Sequence, residues 1–290
     1  MTGSPSVLFD RLGPRGRRRT HIITAVVGAA LLSVAAYVGV RLQQSGQLEA
    51  RHWSPLFNPF DPQFTTVWKF LLGGLGNTAS AGAISIVLGL AIGTALALLR
   101  VTALPWYRWC IVGVTEFFRT VPVVISIFFA SRALPVIGVD LPLLWYLVIG
   151  LTIYNSVAIS EIVRAGIHAV PRGQTESALA LGLSRGRALR SIVLPQAFRI
   201  MLPSLIAQLV IVVKDTALGF IIGFEELLRR GEIAVQSLGN PLQMYLLIGA
   251  IFFVVNGLLS WLARATEARL RGAAPTRRRA LPRRVAAPRP

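Results

Sequence analysis

Seven polar or ionisable residues stand within or beside long apolar runs of this chain: Glu116 and Arg119, Asn155 and Glu161, and the triplet Lys214, Asp215 and Thr216. Placing a charge in a hydrocarbon core is costly, so such side chains either pair with one another or line a route for a polar solute. Glu116 and Arg119 are three residues apart, which puts both on one helical face as a possible ion pair. The chemistry within reach is binding and passage of a charged solute, because no nucleophile, base and metal constellation accompanies these groups. His21, His52 and His168 are scattered without a second ligand at metal spacing, so no metal site is expected. Lys69 and Lys214 follow Trp68 and Val213, which excludes a G-x-x-x-x-G-K-[ST] phosphate loop.

Each of the seven also has a structural reading as a salt bridge, a cap or an interfacial anchor. Glu116 with Arg119 reads equally as pathway lining or as a structural pair. The triplet at 214–216 fits a turn between broken helical segments. Glu161 with Arg164 fits the inner membrane boundary.

The elements that must position these residues are membrane helices. The chain is 54% hydrophobic and 14% charged, whereas a soluble domain is about 45–50% apolar and about 25% charged. Apolar runs extend over about His21 to Val40, Trp68 to Leu99, Trp109 to Leu134, Leu143 to Val163, Ile200 to Val213 with an extension to Gly223, and Leu242 to Leu262. A helix crosses a bilayer in about 20 residues, so these runs predict an all-α integral membrane protein with about six spans. The first run exceeds the roughly 7–15 apolar residues of a secretory signal and reads as an uncleaved helix. Cys110, the sole cysteine, reads as a small buried hydrophobe.

The net charge of +18 would point to nucleic acid in a soluble protein. Here the basic residues report topology instead. With both termini inside, 22 of the 30 Lys and Arg residues fall on one side, as the positive-inside rule expects of the cytoplasm. The predicted organisation is a basic arm at 1–20, an additional helix at 21–40, an external Pro-rich linker at 41–66, and a membrane domain at 67–264. A basic tail at 265–290 is expected to be disordered. It either holds topology by its charge or attracts anionic headgroups.

The densest polar stretch, Glu161 to Pro203, lies between apolar runs, and its loop at 165–199 needs a soluble partner. Pro171 can open a helix there, Gly182 suits the left-handed position past its end, and Ser184 can cap a second helix. In that second helix Leu189, Ile192 and Val193 share an apolar face. Pro195 and Pro203 are expected to interrupt before and within the start of the next span. A DNA-reading helix pair is excluded by the spans on either side, which would keep it from a major groove.

The string Glu176-Ser177-Ala178, three residues, Gly182, nine residues, then Ile192-Val193-Leu194-Pro195 resembles the signature loop of ABC importer permeases, with Ser177 where the family usually has Ala. EFFRTVPVVISIFF (Glu116 to Phe129), YNSVAISEIVRAGI (Tyr154 to Ile167) and VKDTALGFIIGFEELL (Val213 to Leu228) resemble the polar-amino-acid branch of that family. The added first helix is reminiscent of actinobacterial glutamate importers. The resemblance covers about Phe70 to Arg264. It implies a type I importer permease core in a bacterial cell membrane, translocating a polar amino acid, glutamate first, with glutamine or a basic amino acid as the alternative.

It further implies a cytoplasmic ATPase dimer that carries ATP and Mg, a second and unlike permease subunit, and an external amino-acid-binding protein; this chain itself binds no cofactor. Glu176, Ser177, Ala178 and Gly182 would form the helix that enters the ATPase, with Ile192, Leu194 and Pro195 closing the loop, Pro195 by ending its second helix. A self-sufficient channel or secondary transporter would instead call for an internal inverted repeat and a paired mid-membrane ion site, and neither is visible.

Overall fold

The computed structural model describes residues 13–102 and 105–272. The first twelve residues of the basic arm and the tail from 273 onward lie outside the described residues. Among the described residues five helical stretches are long and apolar enough to cross a bilayer, and a bent pair makes a sixth. They are α1 (Pro14–Gln44), α3 (Phe64–Thr102), α6 (Leu143–Ala169), the run that includes α9 (Leu194–Asp215), and α11 (Pro241–Gly272). Helix α1 opens on Pro14 and buries none of its residues. An apolar helix with no protein neighbour is stable only where its surround is also apolar, that is, in lipid.

The span expected at 109–134 is not one helix. It is α4 (Pro105–Thr120) and α5 (Val123–Val136), which meet at an angle of 100°. Pro122 has no N–H to donate and drives Val121 out of the helical region, so the helix breaks there. Pro122 then starts α5, its carbonyl accepting from the Ile125 and Ser126 N–H groups at 2.9 and 3.2 Å. Cys110 lies on the outward side of α4 and is exposed, contrary to the expected burial.

The Pro-rich linker is partly ordered. A short helix α2 (Ala50–Phe57) docks through Leu56, which is fully buried, and the Trp68 indole N–H donates to the Leu56 carbonyl at 3.0 Å. Helix α11 runs to Gly272, eight residues into the stretch expected to be disordered, because ATEARLR is composed mostly of good helix formers.

Three buried clusters hold the bundle. Leu56, Leu71, Leu227 and Met244 join α2, α3, α10 (Leu227–Leu238) and α11. Ala81, Ile127, Leu147, Leu151 and Phe224 join α3, α5 and α6. Ala97, Val163, Val193, Ala197 and Met201 join α3 and α6 to the root of the polar loop. The third cluster makes that loop continuous with the membrane bundle.

Glu226 caps α10 from a fully buried position, accepting from the Leu228 and Arg229 N–H groups at 2.7 and 2.8 Å. Burial lifts its carboxyl from 4.5 to about 7, against the lowering pull of those two hydrogen bonds. The folded state therefore holds this proton more tightly than the unfolded chain. Its contribution is most favourable below about pH 4.5, declines as pH rises to about 7, and is level above that, a loss on the order of 3 kcal/mol. Glu226→Gln should flatten the dependence of melting temperature on pH across this window; an unchanged slope would show that Glu226 ionises without penalty.

Candidate functional site

The polar loop is built from α7 (Arg172–Ala180), a turn at Leu181 to Ser184, and α8 (Arg185–Ala188). Gly182 has φ of +79°, a left-handed conformation that glycine adopts without Cβ strain. The Gly182 N–H donates to the Leu179 carbonyl at 2.9 Å and the Leu183 N–H to the Ala178 carbonyl at 3.1 Å. This pair of bonds closes the helix end and satisfies two carbonyls that would otherwise be orphaned. Ala178 is buried, Glu176 and Ser177 are exposed, and Leu181 is 82% exposed at the tip. Leu181 and the partly exposed Leu179 thus present apolar surface at the tip of the loop.

Two expectations for this loop change. Ser184 stands at the start of α8, yet its side chain makes no capping bond. Pro195 does not end the helix. A wide helical turn over Leu189–Val193, with the Leu194 N–H bonded to the Leu189 carbonyl, precedes it and leads directly into α9. That turn carries the register change next to the proline ring, so the loop and the span form one continuous rod. Ile192 and Leu194 are half-buried along it and Pro195 is exposed. The Gln196 amide donates to the Gln174 side chain at 3.2 Å, which ties α7 to the rod.

A five-residue ionic cluster sits where the ends of α3 and α6 meet α4. Arg100 ion-pairs with Glu161. The other Glu161 oxygen accepts from the Arg164 Nη2 and Nε at 2.7 and 3.1 Å. Glu116 is held more loosely, 3.9 Å from both Arg100 and Arg119. The Arg100 side chain is only 12% exposed, against 50% for Glu116 and 63% for Arg119. The Glu161 pairs are thus tight and sheltered, whereas a half-exposed pair at this separation is worth about 1 kcal/mol or less.

Asn155 is fully buried between helices. Its Oδ1 accepts from the Gln208 amide at 2.8 Å and its Nδ2 donates to the Leu151 carbonyl at 2.8 Å. Gln208 escaped the sequence reading, although a lone amide within the apolar run of α9 was a usable signal. Lys214 is exposed on a groove of about 630 Å³ between α9 and α11, lined also by Val210, Tyr245, Phe252 and Asn256. Asp215 is half-buried, and the Thr216 hydroxyl donates to the Val213 carbonyl at 2.7 Å where α9 tightens into the turn Thr216–Ile222. The structure therefore joins Glu116, Arg119 and Glu161 in one cluster through Arg100, and leaves Asn155 and Lys214 to Thr216 as separate groups. Among the described residues no group of three or more His, Cys, Asp or Glu could hold a metal ion.

The described residues thus form membrane-length helices that carry a helix-and-turn loop rooted in the same core. The family model described as "Binding-protein-dependent transport system inner membrane component" matches residues 85–272. The glutamate transport system permease protein GluD of Corynebacterium glutamicum is 38% identical over 233 residues, 79% of this chain and 84% of that protein. The arginine transport system permease protein ArtQ of Bacillus subtilis is 30% identical, covering 70% of this chain and 93% of that protein.

Among solved structures, an amino acid ABC transporter with histidines is similar at a TM-score of 0.67 and 28% identity, covering 71% of this chain and 96% of that chain. The inward-facing MetNI methionine ABC transporter shares the fold at a TM-score of 0.62 and 18% identity, over 69% of this chain and 96% of that chain. The chain belongs to the family of binding-protein-dependent transport system inner membrane components. It is a membrane-resident transporter subunit and not an enzyme.

Proposed function

We propose that this chain is one permease subunit of an ATP-driven importer of polar amino acids, with glutamate as its first substrate. The observation that carries this reading is the loop: Glu176 to Gly182 form an exposed helix and left-handed turn whose root lies in the α3, α6 and α9 core. Force applied at Leu181 would reach the spans through packed side chains rather than through a slack connection. The occupant of that tip is a cytoplasmic ATPase dimer, which brings ATP and Mg. Both termini face the cytoplasm, as the distribution of Lys and Arg favours.

A second and unlike permease subunit completes the pore, and an external binding protein delivers the substrate. Of the polar candidates, Lys214 faces an open groove and suits a substrate carboxylate, whereas Asn155 has no exposed surface. The glutamate permease at 38% identity supports glutamate over the arginine permease at 30%; a glutamine permease at 36% keeps glutamine as the second reading.

The test is to co-express the chain with the products of its neighbouring genes, reconstitute the complex in liposomes, and follow uptake of labelled glutamate with glutamine and arginine as competitors. ATP-dependent, glutamate-selective uptake is the expected result. Selectivity for another amino acid would correct the substrate alone, whereas flux through this chain without ATP would overturn the importer.

A further inference from the structure

The ionic cluster has one tight half and one loose half, and the two halves belong to different mechanical bodies. Arg100 closes α3 within the same turn as Ala97, which is packed in the core at the root of the polar loop. Glu161 and Arg164 stand on α6 among Val163 and Ile167 of that core. Arg100, Glu161 and Arg164 are thereby fixed to the frame that carries the loop. Glu116 and Arg119 stand on α4, which buries little beyond Ile111 and Thr115 and turns through 100° into α5 at Pro122. Among its described residues helix α4 therefore has few buried apolar contacts with the frame, and its Glu116 reaches Arg100 of that frame.

We infer that Arg100 is a positioning residue for transport, gripping the α3 and α6 frame through Glu161 and latching the hinged helix α4 through Glu116. Its guanidinium has enough donors to serve two carboxylates at once, which a single ammonium cannot do with the same geometry. The tight contact persists through the cycle. The 3.9 Å contact, half-exposed and shared with Arg119, is the one that opens when the frame shifts. A contact that must be remade every cycle has to be weak compared with the work available from a partner, and an exposed pair meets that requirement. The surplus of arginines, three against two carboxylates, leaves Arg119 able to keep Glu116 neutralised while Arg100 releases it.

The inference rests on the importer reading for its transport consequence, but the latch can be observed without transport. Spin labels on Cys110 of α4 and on Ala95→Cys of α3, both exposed positions, report the distance between α4 and the frame in the intact reconstituted complex. Glu116→Gln should add a second, longer distance and lower the substrate imported per ATP hydrolysed by about threefold to fivefold, with the melting temperature unchanged. Arg100→Lys should do the same, and the double variant should go no further than Arg100→Lys.

An unaltered distance distribution in Glu116→Gln together with normal transport per ATP would overturn the latch, as would effects of the two substitutions that simply multiply. If the wild-type complex imports nothing while Glu116→Gln still shifts the distance, the latch stands and the importer reading fails.

Discussion

Gly182→Val should lower ATP-driven uptake by about 50-fold while the protein remains inserted at normal abundance. The backbone at Gly182 has φ of +79°, where a side chain bearing Cβ costs about 1–2 kcal/mol and a β-branched one more. A Cβ there would meet nothing within 4 Å, so the cost is conformational and not a clash with the bundle. The turn relieves the strain by leaving the left-handed region, which breaks the bonds to the Ala178 and Leu179 carbonyls and swings Leu181 away from its position. At tenfold per 1.4 kcal/mol, a penalty of about 2–3 kcal/mol leaves a few per cent of loops or fewer in the docking shape. Gly182→Asn, which tolerates the left-handed region, should retain most of the uptake. If the valine variant transports normally, the loop does not need this turn, and the coupling role assigned to Glu176 to Gly182 falls with it.

The sequence foretold the spans better than the joints between them. A run of apolar residues of membrane length has few alternatives to a helix, so the start of α6 at Leu143 and the end of α9 at Asp215, close to the expected Val213, followed from composition. Hydrophobicity cannot report direction, however, and the 100° bend at Pro122 lies inside what composition marks as a single span. Pro195 misled in the opposite sense. Its stopping power depends on the turn before it, and the wide turn at Leu189–Val193 became evident only with the hydrogen bonds in place.

The left-handed turn at Gly182 was legible because a glycine after a run of helix formers has one common use. The pairs Glu116 with Arg119 and Glu161 with Arg164 were legible from their i,i+3 spacing, but the residue that joins them was not. Arg100 lies 61 residues from Glu161 in the chain, and a basic residue at the end of an apolar run is explained well enough by topology to hide a second role. Gln208 and Asn155 are similarly remote in sequence, and only the packing of α6 against α9 makes them a pair.

Gly150→Val should damage the fold itself, through the seat of α5 on α6. A Cβ at Gly150 would lie 2.5 Å from the Ile127 Cα and 2.7 Å from its backbone nitrogen. Backbone atoms cannot rotate away, so α5 would have to withdraw by more than about 1 Å to reach ordinary contact distance. Ile127 is fully buried with Ala81, Leu147, Leu151 and Phe224, and withdrawal opens that cluster. Overpacking of this kind costs about 3 kcal/mol or more, which for a chain of this size lowers the melting temperature by roughly 6–12 °C.

Ile127→Ala should not rescue the variant: it removes Cγ1, which would lie 2.7 Å from the added Cβ, but leaves the main-chain Cα and nitrogen at 2.5 and 2.7 Å. Gly231→Ala is the instructive contrast. Its added Cβ would also collide, but with the Ile248 Cδ1, the tip of a side chain that can change rotamer, so its expected cost is small. Thermal unfolding of the three variants in detergent decides the matter: a loss in Gly231→Ala as large as that in Gly150→Val would mean that the Ile248 tip cannot move aside, and rescue of Gly150→Val by Ile127→Ala would mean that α5 meets α6 through a side chain rather than through backbone contact. In the latter event the hinge at Pro122 would have a movable partner on both sides, and the moving part would extend through α5 as well as α4.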